Sequence, residues 1–264
     1  MLKPKQISMF YIKFYIKEII GTAFKTPAYW YCILLLSLVV DRSYAQKNNI
    51  NDLRPIIEKI KTIKVYSYTT TTKAIFPNGK KEQLIAQTYM DRVNKKYAYK
   101  STDQIVIVNK DWVFKVDHKN KSVGVYNIPA YYKKHKEPLA QINTIFEKDM
   151  TAFFMDSLVS KYGTLLSTAI KEQLTTYEIG FSPEAALKKM LLVYNTAKQL
   201  PESIFFKLES VLDSKGSKAI TETTCNNYST TVNNSVFEVS PYFSIVKGKV
   251  LLNQYKNYKV YSEL

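Results

Sequence analysis

The chain has 264 residues, 46% of them hydrophobic and only 7 of them Gly, which excludes a disordered or collagen-like chain and leaves room for one sizeable domain. Its net charge of +16 comes almost entirely from lysine, with Arg only at positions 42, 54 and 92. Bidentate contacts to bases and phosphates therefore have few donors, and no nucleic-acid partner is expected. The same charge suits a solvated surface that meets anionic lipid headgroups.

Residues 25–46 read KTPAYWYCILLLSLVVDRSYAQ. Lys25 supplies a basic start, Tyr29 to Val40 an apolar core, and Ser43 and Ala45 the small residues that a signal peptidase needs. The pattern predicts a signal peptide cleaved after Ala45, with residues 1–45 an N-terminal extension and leader. The alternative is an uncleaved anchor, but the apolar core falls short of the ~20 residues that span a bilayer. The segment ahead of it, MLKPKQISMFYIKFYIKEII, is long for a leader, and reads equally as an upstream start or an amphipathic extension. Removing 1–45 takes away six Lys/Arg and two Asp/Glu, so the mature chain stays basic. Cys32 lies inside the apolar core, the wrong place for a lipidated cysteine, and Cys225 is then the one cysteine left, without an internal disulfide partner. The segment predicts export from the cytoplasm.

From residue 46 onward the pattern is that of a single domain. Leu53, Ile56, Ile57 and Ile60 recur at helical spacing, with Asn51 or Asp52 as N-cap and Pro55 in the first turn. At Ile63 the period changes to two, and IKVYSYTTTTKAIF runs into a turn at PNGK, residues 77–80. Three more alternating segments follow between Gln87 and Asp117. Tyr97 and Tyr99 share one side of their strand, and Trp112, Phe114 and Val116 one side of theirs, with Lys96, Lys100, Lys115 and Asp117 opposite. HKNK, residues 118–121, turns the chain into SVGVYNI, making six consecutive strands. Between Pro138 and Tyr162, Leu139, Ile142, Phe146, Met150, Phe153 and Leu158 recur at three to four residues, and Gly163 stands at a helix C-cap position. Strands then resume as TLLSTAI, LTTYEIGF, LKKMLLVYN, ESIFFKLESVL, KAITETTCNNYST, KVLLNQY and YKVYS.

One antiparallel sheet of about ten strands cannot leave an apolar face in water, and the helices are too few to cover both faces. The predicted fold is mainly β with a helical lid: a curved, half-open antiparallel barrel covered by the N-terminal helix and the central helical insertion.

The order of these segments resembles the LolA-like family of periplasmic outer-membrane lipoprotein carriers, over nearly the whole mature chain. TYMDRVNKKYAY places Tyr89 at the family's aromatic and Arg92 at its arginine, with Val93 in place of the usual proline. QIVIVNKDWVFKVD places Phe114, Val116 and Asp117 at the tryptophan, tyrosine and acidic positions, with Lys110 in place of a glycine. YEIGFSP, the long hairpin LKKMLLVYNTAKQLPESIFFKLESV and SVFEVSPYF continue the match. The departures at Val93 and Lys110 mark a divergent relative and bear on the lid more than on the fold.

The resemblance implies a carrier that binds acyl chains in an apolar cavity for transfer toward the outer membrane. It implies Arg92 as a lid latch that bonds to lid carbonyls, against the plainer alternative of an exposed strand residue paired with Asp91. It further implies a monomer whose partners are an acylated lipoprotein or lipid and inner- and outer-membrane transfer proteins. Tyr89, Tyr97, Tyr99, Trp112, Phe114 and Val116, with Phe146, Met150, Phe153 and Phe154 from the insertion, are the cavity candidates, since aromatics and Met repack around a flexible chain. A core filled by side chains is the alternative. A second function class on the same fold is an exported sensor or scaffold that binds a protein partner.

Two histidines, His118 and His135, have no ligand-spaced Cys or carboxylate beside them, so no metal or other cofactor is expected. No nucleophile elbow or phosphate-cradling loop occurs, and no enzymatic activity is expected.

Overall fold

The computed structural model describes residues 50–135, 159, 162–212 and 216–264; the leader and nearly all of the insertion at 138–162 lie outside them. A 3-10 turn at Ile50–Leu53 leads into helix α1, Arg54–Thr62, with Pro55 in its first turn. Asn51 and Asp52, expected to cap the helix, belong to that turn instead; the N-cap is Leu53, which makes no side-chain cap bond. Leu53, Ile57 and Ile60 are buried. Burying such side chains stabilises by roughly 1.5–3 kcal/mol each, so packing, not capping, holds α1 in place.

Six strands follow: β1 Val65–Ile75, β2 Lys81–Asp91, β3 Lys96–Ser101, β4 Gln104–Val108, β5 Trp112–Asp117 and β6 Ser122–Asn127. Helix α2, Ile128–His135, comes next. The second run comprises β7 Thr164–Lys171, β8 Leu174–Gly180, β9 Leu187–Asn195, β10 Leu200–Val211 and β11 Lys218–Ser229. A hairpin of β12, Phe243–Val246, and β13, Lys249–Leu252, precedes the last strand, β14, Lys259–Glu263.

Twelve strands form one open sheet in the order β14-β6-β5-β4-β3-β2-β1-β11-β10-β9-β8-β7. The two meanders meet where β1 pairs antiparallel with β11, from Ser67 opposite Ser229 to Ile75 opposite Ile220. Two features depart from the predicted antiparallel ten-stranded sheet. β12 and β13 pair only with each other, and β14 joins β6 in parallel, Lys259 opposite Ser122 through Glu263 opposite Tyr126. The parallel strand follows from the route of the tail, which returns to the β6 edge only after residues 237–258 have crossed the back of the first meander.

Two hairpin turns share one chemistry. The buried Asp91 accepts from Asn94 N at 2.9 Å and Asn94 Nδ2 at 2.7 Å, and the buried Asp117 accepts from Asn120 N and Nδ2 at 2.8 Å each. Each carboxylate satisfies turn donors, and the next residue, Lys95 at φ 51° or Lys121 at φ 48°, takes the left-handed conformation that closes the turn. Asp91 is thereby committed to its turn.

Helix α2 is absent from the sequence-based prediction. Its signal was present in Asn127-Ile128-Pro129: Asn127 Oδ1 accepts from Ala130 N at 3.0 Å, and Pro129 sits in the first turn. Gly163 follows a helical residue, Tyr162, and its N–H bonds to Val159 O at 3.0 Å. Its φ is not positive. The glycine is needed because a Cβ there would come within 2.8 Å of Ile179 Cγ2 and of Val159 O.

Candidate functional site

The pairing registers sort every side chain of the first meander to one face. Met90 lies opposite Tyr66 and Tyr97, Tyr97 opposite Val108, and Val108 opposite Val113. The neighbouring row runs Tyr68, Thr88, Tyr99, Val106, Lys115. These rows share the face on which α1 packs, here called the inner face. The alternate residues Tyr89, Ala98, Ile107 and Phe114 form the outer face, with Ile105 and Val116 beside them.

The six strand residues proposed to line one cavity therefore divide. Tyr97 and Tyr99 are on the inner face. Tyr89, Trp112, Phe114 and Val116 are on the outer face, because β3 and β5 are separated by β4 and the two registers add up to place Tyr97 in line with Val113, not Phe114. For the same reason Lys115 and Asp117 point inward, whereas Lys96 and Lys100 point outward. Phe146, Met150, Phe153 and Phe154 lie outside the described residues.

On the outer face the interior is filled. Phe114 and Val116 are fully buried, and Phe237, Val239 and Phe243 from the tail complete their core. Phe114 stacks on Tyr242 at 4.7 Å and on Phe243 at 5.8 Å between centroids, and Trp112 meets Phe243 edge-on at 5.4 Å. Tyr89 packs at the margin, its hydroxyl donating to Gln87 Oε1 at 2.8 Å. The signal for this was the aromatic content of the tail itself: Phe237, Tyr242, Phe243, Tyr255 and Tyr258 require a partner surface.

The inner face carries two apolar clusters. One joins Leu53 and, from α1, Ile57 and Ile60 to Ile179, Met190, Leu192, Ile204 and Phe206. The other holds Tyr66, Met90, Val106, Val108 and Ile128, with Ile63, Tyr97, Tyr99 and Val113 half-buried against it. A tyrosine ladder links them: Tyr66 to Tyr68 at 6.2 Å, and Tyr68 to Tyr228 at 5.3 Å. Sequence reading did not single out Tyr66, Tyr68, Met90 or Tyr228, although the Tyr66–Tyr68 spacing of two in IKVYSYTT was visible.

Polar groups on this face feel its low polarity. Burial pushes the Tyr99 phenol above its ordinary value, against hydrogen bonds from Ser101 and Gln104 that lower it. Burial likewise pulls the Lys115 ammonium below its ordinary value, an effect that Asp117 partly offsets.

Arg92 closes one end of the band. Its Nη1 donates to Lys61 O at 3.0 Å and to Ile63 O at 3.2 Å, and its guanidinium lies 5.4 Å from the centroid of the Tyr66 ring. The guanidinium thus serves carbonyls at the C-terminal end of α1. The insertion that it was expected to hold is outside the described residues. Cys225 is buried, with Thr70 Oγ1 3.7 Å from its sulfur. Among the described residues no group of three His, Cys, Asp or Glu is placed to hold a metal ion.

No protein-family model and no curated protein match the chain. Among solved structures, the fold is similar to a LolA superfamily protein from Nitrosomonas europaea, at 11% identity and a TM-score of 0.30, covering 71% of this chain and 97% of that one. The likeness is one of fold alone. An uncharacterized conserved protein from Thermus thermophilus has a TM-score of 0.40 at 9% identity, with 80% of this chain and 99% of that one covered. An outer membrane lipoprotein-sorting protein domain from Vibrio parahaemolyticus has a TM-score of 0.26 at 10% identity, with 72% and 96% covered. None of the three bears on what this chain binds.

Proposed function

We propose that this chain is an exported, non-enzymatic carrier that holds the acyl chains of a lipoprotein or lipid against the inner face, for transfer toward the outer membrane. The observation that carries the reading is the band of half-buried Tyr68, Tyr97, Tyr99 and Tyr228 around the buried Tyr66 and Met90, which joins two apolar clusters on the face that α1 covers. The faces of the rings and the thioether offer an acyl chain apolar contact area, and they can repack when it leaves. The outer face offers no comparable room, since the tail fills it. Arg92, by holding the α1 end against the rim of the band, is the residue on which access would turn. In this reading residues 1–45 direct export and are removed, and the carrier works in the periplasm.

The test is mass spectrometry of organic extracts from the purified exported protein. Stoichiometric acyl-bearing molecules are expected from the natural chain and their loss from a Tyr97→Glu/Tyr99→Glu variant that keeps its β-sheet circular dichroism. An extract free of acyl chains, from protein purified without detergent, would contradict the carrier reading.

A further inference from the structure

The β12–β13 hairpin has two unlike faces. Its register sets Phe243 opposite Leu252 and Ile245 opposite Val250 on one face, and Ser244 opposite Leu251 and Val246 opposite Lys249 on the other. Phe243, Val250 and Leu252 pack into the outer-face core. The second face is turned away from that core, with Val246 46% and Leu251 51% exposed, and Ile245, near the tip of the packed face, is 43% exposed. Lys247 and Gly248 both have positive φ, 49° and 72°, as a two-residue hairpin turn requires. The tip is therefore narrow and fixed in shape, and it carries exposed apolar side chains on both faces beside its two lysines.

Its charge has a single sign. From Val239 to Ser262 the chain carries Lys247, Lys249, Lys256 and Lys259 and no Asp or Glu. Exposed apolar side chains around a basic turn match an anionic bilayer surface, where apolar groups enter the acyl boundary and ammonium groups meet phosphates. A folded protein partner would have to supply a cleft that takes apolar side chains on both sides of a basic turn; a fluid lipid surface needs none.

We infer that the β12–β13 hairpin is a membrane-docking element, which inserts Ile245, Val246 and Leu251 into the surface of a bilayer containing anionic lipid and sets Lys247 and Lys249 on the headgroups. The inference rests on the hairpin alone and stands whether or not the inner face carries acyl chains.

The full chain and its variants, prepared in the same form, are mixed with phosphatidylcholine vesicles with and without phosphatidylglycerol. Binding is read by co-sedimentation, and hydrogen exchange at residues 243–252 assigns it to the hairpin separately from the apolar segment 29–40. Each lysine near an anionic surface contributes about fivefold in affinity, so Lys247→Glu/Lys249→Glu should weaken binding to the phosphatidylglycerol vesicles about tenfold or more. Val246→Asp/Leu251→Asp should also weaken it, and both pairs should leave the circular dichroism unchanged because these side chains are exposed. Vesicles should slow exchange at 243–252 in the natural chain only. Equal affinity in both variants, unaltered exchange at the hairpin, or binding indifferent to phosphatidylglycerol would overturn the inference.

Discussion

Arg92→Leu is the most informative single substitution. It removes both hydrogen bonds to the α1 end, at 3.0 and 3.2 Å, and the contact with the Tyr66 ring. Hydrogen bonds from a charged donor contribute ~1.5–3 kcal/mol each, and a cation over an aromatic face ~0.5–1 kcal/mol. Arg92 is half-buried and one nitrogen makes both bonds, so the lower ends apply, and the expected loss is about 2–4 kcal/mol. Urea unfolding should show a lower midpoint with an unchanged slope. Hydrogen exchange should quicken at residues 54–63 while the strands of the second meander keep their protection. A loss under about 0.5 kcal/mol, the range of an ordinary surface substitution, with α1 still protected, would refute the reasoning. Exchange at 138–162 in the same experiment reports on the latch to the insertion: faster exchange there adds that role to Arg92, and unchanged exchange removes it.

Phe114→Ala should cost about 3–5 kcal/mol in denaturant unfolding, as for an aromatic removed from a closed core, and should leave acyl binding by the folded fraction unaltered. Lys115→Met should match or exceed the natural chain in stability at neutral pH, because burial disfavours the ammonium. With the folded pKa of Lys115 below its unfolded value, the natural chain gains stability as pH rises through that alkaline window, so any deficit against Lys115→Met should narrow there in paired melting curves. At Glu263 burial alone would raise the carboxyl, but His135 Nε2 at 2.9 Å and Lys134 Nζ at 3.5 Å outweigh it and hold the group below the ordinary carboxylate value. Its contribution is therefore present above the unfolded value and lost as pH falls through the folded one. Glu263→Gln should quicken exchange at residues 259–263 at neutral pH and make no difference in acid.

Runs of apolar and β-branched residues between turn signals located nearly every strand, with TLLSTAI, LKKMLLVYN and ESIFFKLESVL overlapping β7, β9 and β10, even where, as in β7, most of the strand is exposed. Parity within a strand says nothing of parity between strands, so strand patterns alone put Tyr97 and Phe114 in one cavity. Their relation depends on the length and closure of two turns, 102–103 and 109–111, which shift register without changing composition. The tail was harder still. SVFEVSPYF and KVLL carry the residues that fill the outer face, but nothing local distinguishes a strand that extends the sheet from one that folds across its back. Only the family resemblance singled out Arg92, and as a ligand of lid carbonyls; the partner seen here, the end of α1 at Lys61 and Ile63, could come only from the fold.

The central claim is that cargo lies on the inner face and nowhere on the outer one. A photoactivatable fatty acyl probe, crosslinked to the purified protein and mapped by peptide mass spectrometry, tests it directly. Adducts are expected in β3 and at the Tyr66–Tyr68 pair, competed by unlabelled lipid. Adducts centred on Trp112, Phe114 or Tyr242, or a protein that takes up no competable probe, would contradict it.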